Sequence, residues 1–355
     1  MTIQIKFGDR VVGQNDRPYV IAEIGVNHEG SLATAKLLIE SAKRGGADAA
    51  KFQTYKAELI ASKFSPSYWD TSKEPTTSQF ELFTKYDAFG EAEYKELAMH
   101  CKKHDIEFVS TPFDLGAVDM LDPLVRFFKI ASADITNPPL LKKVAATGKP
   151  VILSTGASNI GEIDAALAIL RGAGAKEICL MHCILNYPTR NENAHLGMLV
   201  DLRNRYPGLL LGYSDHTLPS EQMTSLISAH LLGAVVLEKH LTLDKTLPGN
   251  DHYHAMDEKD LVKFQVNVKQ VHELLGSTRL KASIATEEIS RLNARRSIVL
   301  ARDLKSGHTL TEQDLVAKRP GTGISPMKWD EVVGKKLARD LPEDHILSWD
   351  DLTKS

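Results

Sequence analysis

At 355 residues the chain exceeds what one hydrophobic core usually organises, so a large domain with a smaller companion is the expected division. Its formal net charge of −3, with acids and bases interspersed, excludes the basic footprint of a nucleic-acid binder and the polybasic patch of a membrane-surface protein. Met1–Arg10 carries charge where a signal peptide would be apolar, no apolar run nears the ~18 residues that span a bilayer, and Cys101, Cys179 and Cys183 lack metal-like spacing, so a reduced, cytoplasmic chain is expected.

Strand-length apolar runs follow in chain order at Tyr19–Gly25, Ala49–Thr54, Glu107–Phe113, Arg126–Ser132, Pro150–Gly156, Glu177–Cys183, Leu209–Ser214 and Val235–Thr242. Most lack polar alternation, as strands buried on both faces do. Helical patterns lie between them, at Leu32–Lys43, Tyr94–Lys103, Ile160–Ala173, Leu196–Tyr206 and Glu221–Leu232. Eight strand–helix units over roughly 250 residues predict a (β/α)8 TIM barrel. A doubly wound sheet is the competing arrangement, but no G-x-G-x-x-G follows the first strand. The stretch from Tyr55 to about Phe89 is too long and polar for a tight connection, and is expected to form a lid or rim at the barrel's C-terminal face.

A barrel over 1–275, a polar linker over 276–294 and a small β-rich domain over 295–355 complete the expected organisation. The small domain repeats itself. Ala301-Arg302-Asp303-Leu304, His308, Leu310, Thr311 and Asp314-Leu315 recur 37 positions later as Ala338-Arg339-Asp340-Leu341, His345, Leu347, Ser348 and Asp351-Leu352. In each half a Ser or Thr precedes an Asp by three residues, which is a helix N-cap signal.

Catalytic side chains of such a barrel belong at the C-terminal strand ends. Lys51 and Lys129, with Ser132, Ser154 and Ser214, read as a phosphate cradle: lysines supply point charge, and hydroxyls and backbone N–H groups supply directed donors. His216 and His240 end adjacent strands and could hold a divalent cation with positions left for water and substrate. His252 and His254 follow on a loop, where substrate contact and ligation are equally open. Glu23, on the first strand, is a candidate general base, and a salt bridge to Lys51 is the plainer alternative; the two are compatible.

At Glu23-Ile24-Gly25-Val26-Asn27-His28-Glu29-Gly30 the chain resembles the N-acetylneuraminate (sialic acid) synthase family. The resemblance continues through Lys51-Phe52-Gln53, Ser110-Thr111-Pro112-Phe113, Leu153-Ser154-Thr155-Gly156, Ser214-Asp215-His216-Thr217, Glu238-Lys239-His240 and Lys318-Arg319-Pro320-Gly321, in order along nearly the whole chain. It implies a TIM barrel followed by an antifreeze-like SAF domain, and a condensation of phosphoenolpyruvate with an N-acylated mannose-type aldehyde, N-acetylmannosamine first among them. Lys51, Thr111, Lys129, Ser132, Ser154 and Ser214 would hold phosphoenolpyruvate, and His216 and His240 would ligate Mn2+ or Mg2+. Glu23 would act as base, and Gln53, Asp134, Tyr187, Asp251 and Arg319 would meet the sugar. The resemblance further implies a homodimer that exchanges SAF domains, so that Arg319 reaches the partner's barrel.

The chain departs from the family near the sugar, with Ala131-Ser132-Ala133-Asp134 after the fourth strand, Leu185-Asn186 before Tyr187, and Gly249-Asn250-Asp251-His252. These departures keep a legionaminic-type synthase, acting on a 6-deoxy diacetamido sugar, as the alternative. A deoxy-octulosonate or deoxy-heptulosonate phosphate synthase would lack the SAF-like tail. A non-catalytic SAF-domain binding protein would have no reason to keep Glu23, Lys51, Lys129, His216 and His240.

Overall fold

The computed structural model describes residues 3–249, 251–277 and 280–353, so Asn250, one of the departures from the family pattern, lies outside the described residues. The chain divides into a unit of Met1–Leu275 and a unit of Gly276–Ser355.

The first unit opens with a hairpin, β1 (Gln4–Phe7) and β2 (Arg10–Gly13), that the sequence pattern does not announce because each strand has only four residues. Then strands and helices alternate: β3 (Tyr19–Gly25), α1 (Leu32–Gly45), β4 (Ala49–Thr54), α2 (Ala57–Ile60), α3 (Gln79–Tyr86), α4 (Glu91–Lys103), β5 (Glu107–Pro112) and α5 (Leu115–Leu121). There follow β6 (Phe128–Ile130), α6 (Pro138–Ala146), β7 (Val151–Ser154), α7 (Ile160–Gly172), β8 (Ile178–Cys183), α8 (Met198–Arg205), β9 (Leu210–Asp215), α9 (Thr224–Leu231), β10 (Ala234–His240) and α10 (Glu258–Leu275). The sheet is all parallel, in the order β5-β4-β3-β10-β9-β8-β7-β6, and its two end strands pack side by side, closing the expected (β/α)8 barrel.

Strand parity sorts the barrel into two cores. Val20, Ala22 and Ile24 of β3 face outward into the layer shared with the helices, whereas Tyr19 and Ile21 face inward with Ala49, Val109, Phe127, Ile152, Met181 and Val236. The hairpin's Ile5, Phe7 and Val12 join this inner core at the N-terminal end, with the Phe7 ring 5.0 Å from Phe127 and 5.4 Å from Tyr19. The inner core is thus apolar below and polar above, where the same inward positions read Glu23, Lys51, Thr111, Lys129, Ser154, Ser214 and Glu238.

The 55–89 stretch carries α2 and α3 and is tied internally by Trp69 Nε1 donating to Glu74 O at 3.1 Å and Lys85 Nζ meeting the buried Glu74 carboxylate at 3.0 Å. Among the described residues no helix is long and apolar enough to cross a membrane.

The second unit holds α11 (Glu288–Ala294), β11 (Ser297–Leu300), β12 (Leu315–Lys318) and α12 (Trp329–Val332), and its internal sequence repeat is a structural one. Leu304 N donates to Leu341 O and Leu341 N returns the bond to Leu304 O, both at 2.9 Å, so equivalent residues of the halves pair with each other. Asp314 accepts from Arg302, His308 and Thr311, and Asp351 accepts from Arg339, His345 and Ser348. The N-cap signals are real, but each starts only one 3-10 turn, Glu312–Asp314 and Trp349–Asp351, before the chain leaves as an extended segment.

Candidate active site

Four buried charges alternate at the centre of the barrel's polar layer. Lys51 Nζ lies 2.7 Å from Glu23 Oε2 and 3.7 Å from Glu238 Oε1, and Lys129 Nζ lies 3.2 Å from the same Glu238 oxygen. Thr111 Oγ1 accepts from Lys51 Nζ at 3.2 Å, and Ser214 Oγ donates to Glu238 Oε1 at 3.1 Å. All these side chains are nearly inaccessible, so each charge is tolerable only because its neighbours carry the opposite one. Burial opposes the charge on both carboxyls, but with opposite outcomes. Glu23 is pushed up to about 7, burial outweighing the pull of Lys51 and Glu238 adding repulsion. For Glu238, Lys129 and Lys51 together outweigh burial and hold the carboxyl at about 2. Glu238 is therefore the permanent anion and Glu23 the one able to exchange a proton near neutrality.

Beside this cluster Ser132 Oγ donates to Ser154 Oγ at 2.8 Å and accepts from Gly156 N at 2.9 Å. A Cβ on Gly156 would come within 2.8 Å of that hydroxyl, so only glycine brings the backbone donor so near. On the other side Gln53 Nε2 donates to Glu23 Oε1 at 2.9 Å. Gly25, at φ +54°, sits where Gln53, Glu23 and His240 converge, all within 3.6 Å of where a Cβ would stand.

The imidazoles gather next to Gln53 and Glu23. The rings of His216 and His240 are 5.5 Å apart, and Tyr187 lies 4.2 Å from His216. His216 Nδ1 donates to Ile184 O at 2.9 Å, which fixes the orientation of the ring. His240 Nδ1 is buried without a hydrogen bond, 3.5 Å from Asp251 Oδ2, and burial holds the ring well below its ordinary pKa and neutral. His254 is wholly buried, 3.6 Å from Asp251 Oδ1, and neither ring nitrogen has a hydrogen bond. Two imidazoles beside a carboxylate are groups of the chemistry a divalent cation takes, and His216, His240 and Asp251 gather here.

A cleft opens above, lined by Gln53, Tyr55, Tyr68, Trp69, Phe83, Tyr86, Tyr187, His240 and Asp251 among others. The 55–89 stretch supplies most of this aromatic wall.

The structure brings together Glu23, Lys51, Gln53, Thr111, Lys129, Ser132, Ser154, Tyr187, Ser214, His216, His240 and Asp251. Asp134 stands apart, on the one-turn helix Ser132–Asp134, where its carboxylate accepts from Asn137 Nδ2 at 3.0 Å. Arg319 belongs to the second unit, exposed just past β12. Glu238 is the central residue that motif reading passes over, although its inward parity with His240, two residues on, is visible in the sequence. Parity also separates its neighbour: Lys239, equally buried, points outward and pairs with Asp215 at 2.8 Å, remote from the chemistry.

A closed parallel barrel with buried acids, paired lysines and histidines at its C-terminal mouth, joined to a small doubled β unit, defines a barrel enzyme with an SAF tail. The NeuB family matches residues 38–280 and the SAF domain residues 295–353. The chain is 42% identical to an uncharacterized protein of Methanocaldococcus jannaschii, covering 98% of both chains. It is 40% identical to the N,N'-diacetyllegionaminic acid synthase of Campylobacter jejuni, covering 92% of this chain and 98% of the other. The structure of an N-acetylneuraminic acid synthetase from Leptospira borgpetersenii, in complex with citrate, superposes with a TM-score of 0.73 at 33% identity, covering 82% of this chain and 95% of that one. The chain belongs to the NeuB family.

Proposed function

We propose that this protein is a nonulosonic acid synthase that condenses phosphoenolpyruvate with an N-acylated amino sugar and water, releasing phosphate. The observation that carries this reading is the juxtaposition of a Lys51/Lys129 pair with a carboxyl poised near neutrality, Glu23, and with an imidazole pair. An arriving phosphate competes with Glu238 for Lys129 and with Glu23 for Lys51, and Ser132, Ser154, Thr111 and Ser214 supply directed hydroxyls around it. A divalent cation held by His216 and His240 would polarise the sugar aldehyde. The nucleophilic C3 of the enolpyruvate then attacks that carbon. Glu23, oriented by Gln53, takes one proton of the water adding at C2; the resulting C2 hydroxyl passes its remaining proton to the alkoxide left by the aldehyde as C2=O forms, and the C2–O bond to phosphate breaks with the electron pair leaving on phosphate.

For the acceptor, the aromatic wall of Tyr55, Tyr68, Trp69, Phe83 and Tyr86 favours a sugar rich in methyl groups. A 2,4-diacetamido-2,4,6-trideoxy hexose carries three, N-acetylmannosamine one. The wall and the similarity to a legionaminic acid synthase support the trideoxy sugar, which we take first, and the similarity to a neuraminic acid synthetase supports N-acetylmannosamine. Phosphate release is measured with phosphoenolpyruvate and each sugar, using 18O in the bridging position. Label in inorganic phosphate, and a kcat/KM for the trideoxy sugar at least tenfold above that for N-acetylmannosamine, are expected. Label retained in the sugar acid, or the reverse preference, refutes the corresponding part.

A further inference from the structure

On the outer face of the barrel α1 and α4 run side by side with matching rungs. Lys36 pairs with Glu96, and one turn on Glu40 faces His100 and His104. Glu40 Oε1 lies 3.0 Å from His100 Nε2 and 3.7 Å from His104 Nε2, and the two rings, one in the last turn of α4 and one at its C-cap, are 4.5 Å apart. One ligand atom from each residue falls within 4.8 Å of the other two. In a tetrahedral zinc site with bonds of about 2.0–2.1 Å, neighbouring ligand atoms stand about 3.3 Å apart. The two carboxylate–imidazole distances bracket that edge, so small rotamer adjustments would close the site.

We propose that Glu40, His100 and His104 form a second cation site, separate from the barrel mouth, for a transition-metal ion of the zinc class. Two imidazoles and one carboxylate select zinc, cobalt, nickel or copper over magnesium. His100 and the C-cap His104 keep the i, i+4 spacing that chelates such ions, with their rings 4.5 Å apart. The seam is firmly based: Ile39, Ala42, Leu97 and Cys101, beneath the three ligands, are buried. The flanking cations do not block the site, because Lys36 is engaged by Glu96 and Arg44 reaches Glu258 at 2.8 Å while standing 3.9 Å from Glu40. His104 and Glu40 remain about a third exposed, so water can fill the fourth position. The ion would displace the proton shared by Glu40 and His100 and clip α1 to α4.

Metal-stripped protein is titrated with Zn2+ in excess Mg2+, and bound zinc and thermal midpoint are followed. Zinc could also enter at the histidines of the barrel mouth, so three proteins are compared: wild type, His100→Asn/His104→Asn and His216→Asn/His240→Asn. The outer variant is expected to lose one zinc equivalent, and the inner variant to keep it along with a zinc-dependent rise in midpoint. Glu40→Gln, which leaves both rings in place, should weaken that equivalent at least tenfold and serves if the double variant folds poorly. An outer variant that binds as many equivalents as wild type at unchanged affinity, or an unaltered Glu40→Gln, overturns the site.

Discussion

Glu238→Gln tests whether Glu23 owes its proton affinity to its neighbours. With Lys51 Nζ 2.7 Å from one carboxylate and 3.7 Å from the other, the two acids approach within about 6 Å. At an effective dielectric of about 20, two like charges so placed repel by ~2.6 kcal/mol, or about 2 pH units of proton affinity. Lys51 lies between them and screens part of this, so neutralising Glu238 should lower the Glu23 pKa from about 7 by about 1–2 units. A general base works above its pKa, so activity is lost as pH falls through that value. The acid limb of kcat/KM should therefore move to lower pH by the same amount. The assay is phosphate release from phosphoenolpyruvate across pH 4.5–8.5 at one sugar concentration, with substrate titrations common to both proteins. The same substitution leaves the two lysines with one carboxylate, so a loss of about 3 kcal/mol in unfolding free energy should accompany the shift. An acid limb that stays within about 0.3 units of wild type would refute the electrostatic reasoning.

Lys129→Met leaves the Glu238 carboxylate with only the more distant Lys51 as counter-charge and removes half the phosphate charge; it should cost about 3 kcal/mol of stability in urea unfolding and raise the KM for phosphoenolpyruvate at least tenfold. Chelation should abolish turnover and Mn2+ or Mg2+ should restore it in wild type, whereas His216→Asn/His240→Asn stays inactive with either ion. In the second unit the partners Arg302 and Arg339 are exposed but Asp314 and Asp351 are buried, and although burial opposes their charge, hydrogen bonds from His308 and His345, with Arg and Ser/Thr donors, hold both carboxyls below the ordinary range. Their contribution is complete above the unfolded carboxylate value of about 4 and is lost as pH falls through the lower folded value, so Asp314→Asn/Asp351→Asn should flatten the acid arm of the pH–stability curve. If Arg319 serves a partner's barrel, co-refolding Arg319→Ala with Glu23→Ala should recover up to about a quarter of wild-type activity, since one barrel of each mixed dimer receives both residues; verified heterodimers without recovery place the site within one chain.

The strands were legible because parallel strands covered on both faces leave runs of buried apolar residues, and Tyr19–Gly25 and Ala49–Thr54 end where the sequence pattern puts them. The capped helices were nearly as clear: Asn159 and Glu162 box the start of the helix at Ile160. Ordered motifs at the strand ends carried the family, since a barrel collects those ends on one face whatever lies between them. The internal repeat of the second unit was equally explicit.

Other features arise only when distant strands meet. The sequence pairs Lys51 with Lys129 but does not show their common partner: only barrel closure brings both lysines onto Glu238, while Lys239 turns to Asp215. The four-residue hairpin strands have no pattern of their own and gain a place only by plugging the inner core with Phe7. The His100/His104 spacing is visible in sequence, but Glu40, sixty positions away, joins them only in the fold. Sequence determines which residues are apolar and at what period, a local property of the chain. Whether a carboxyl such as Glu23 titrates near neutrality is decided by burial and by charges brought from other strands, which exist only in the folded barrel.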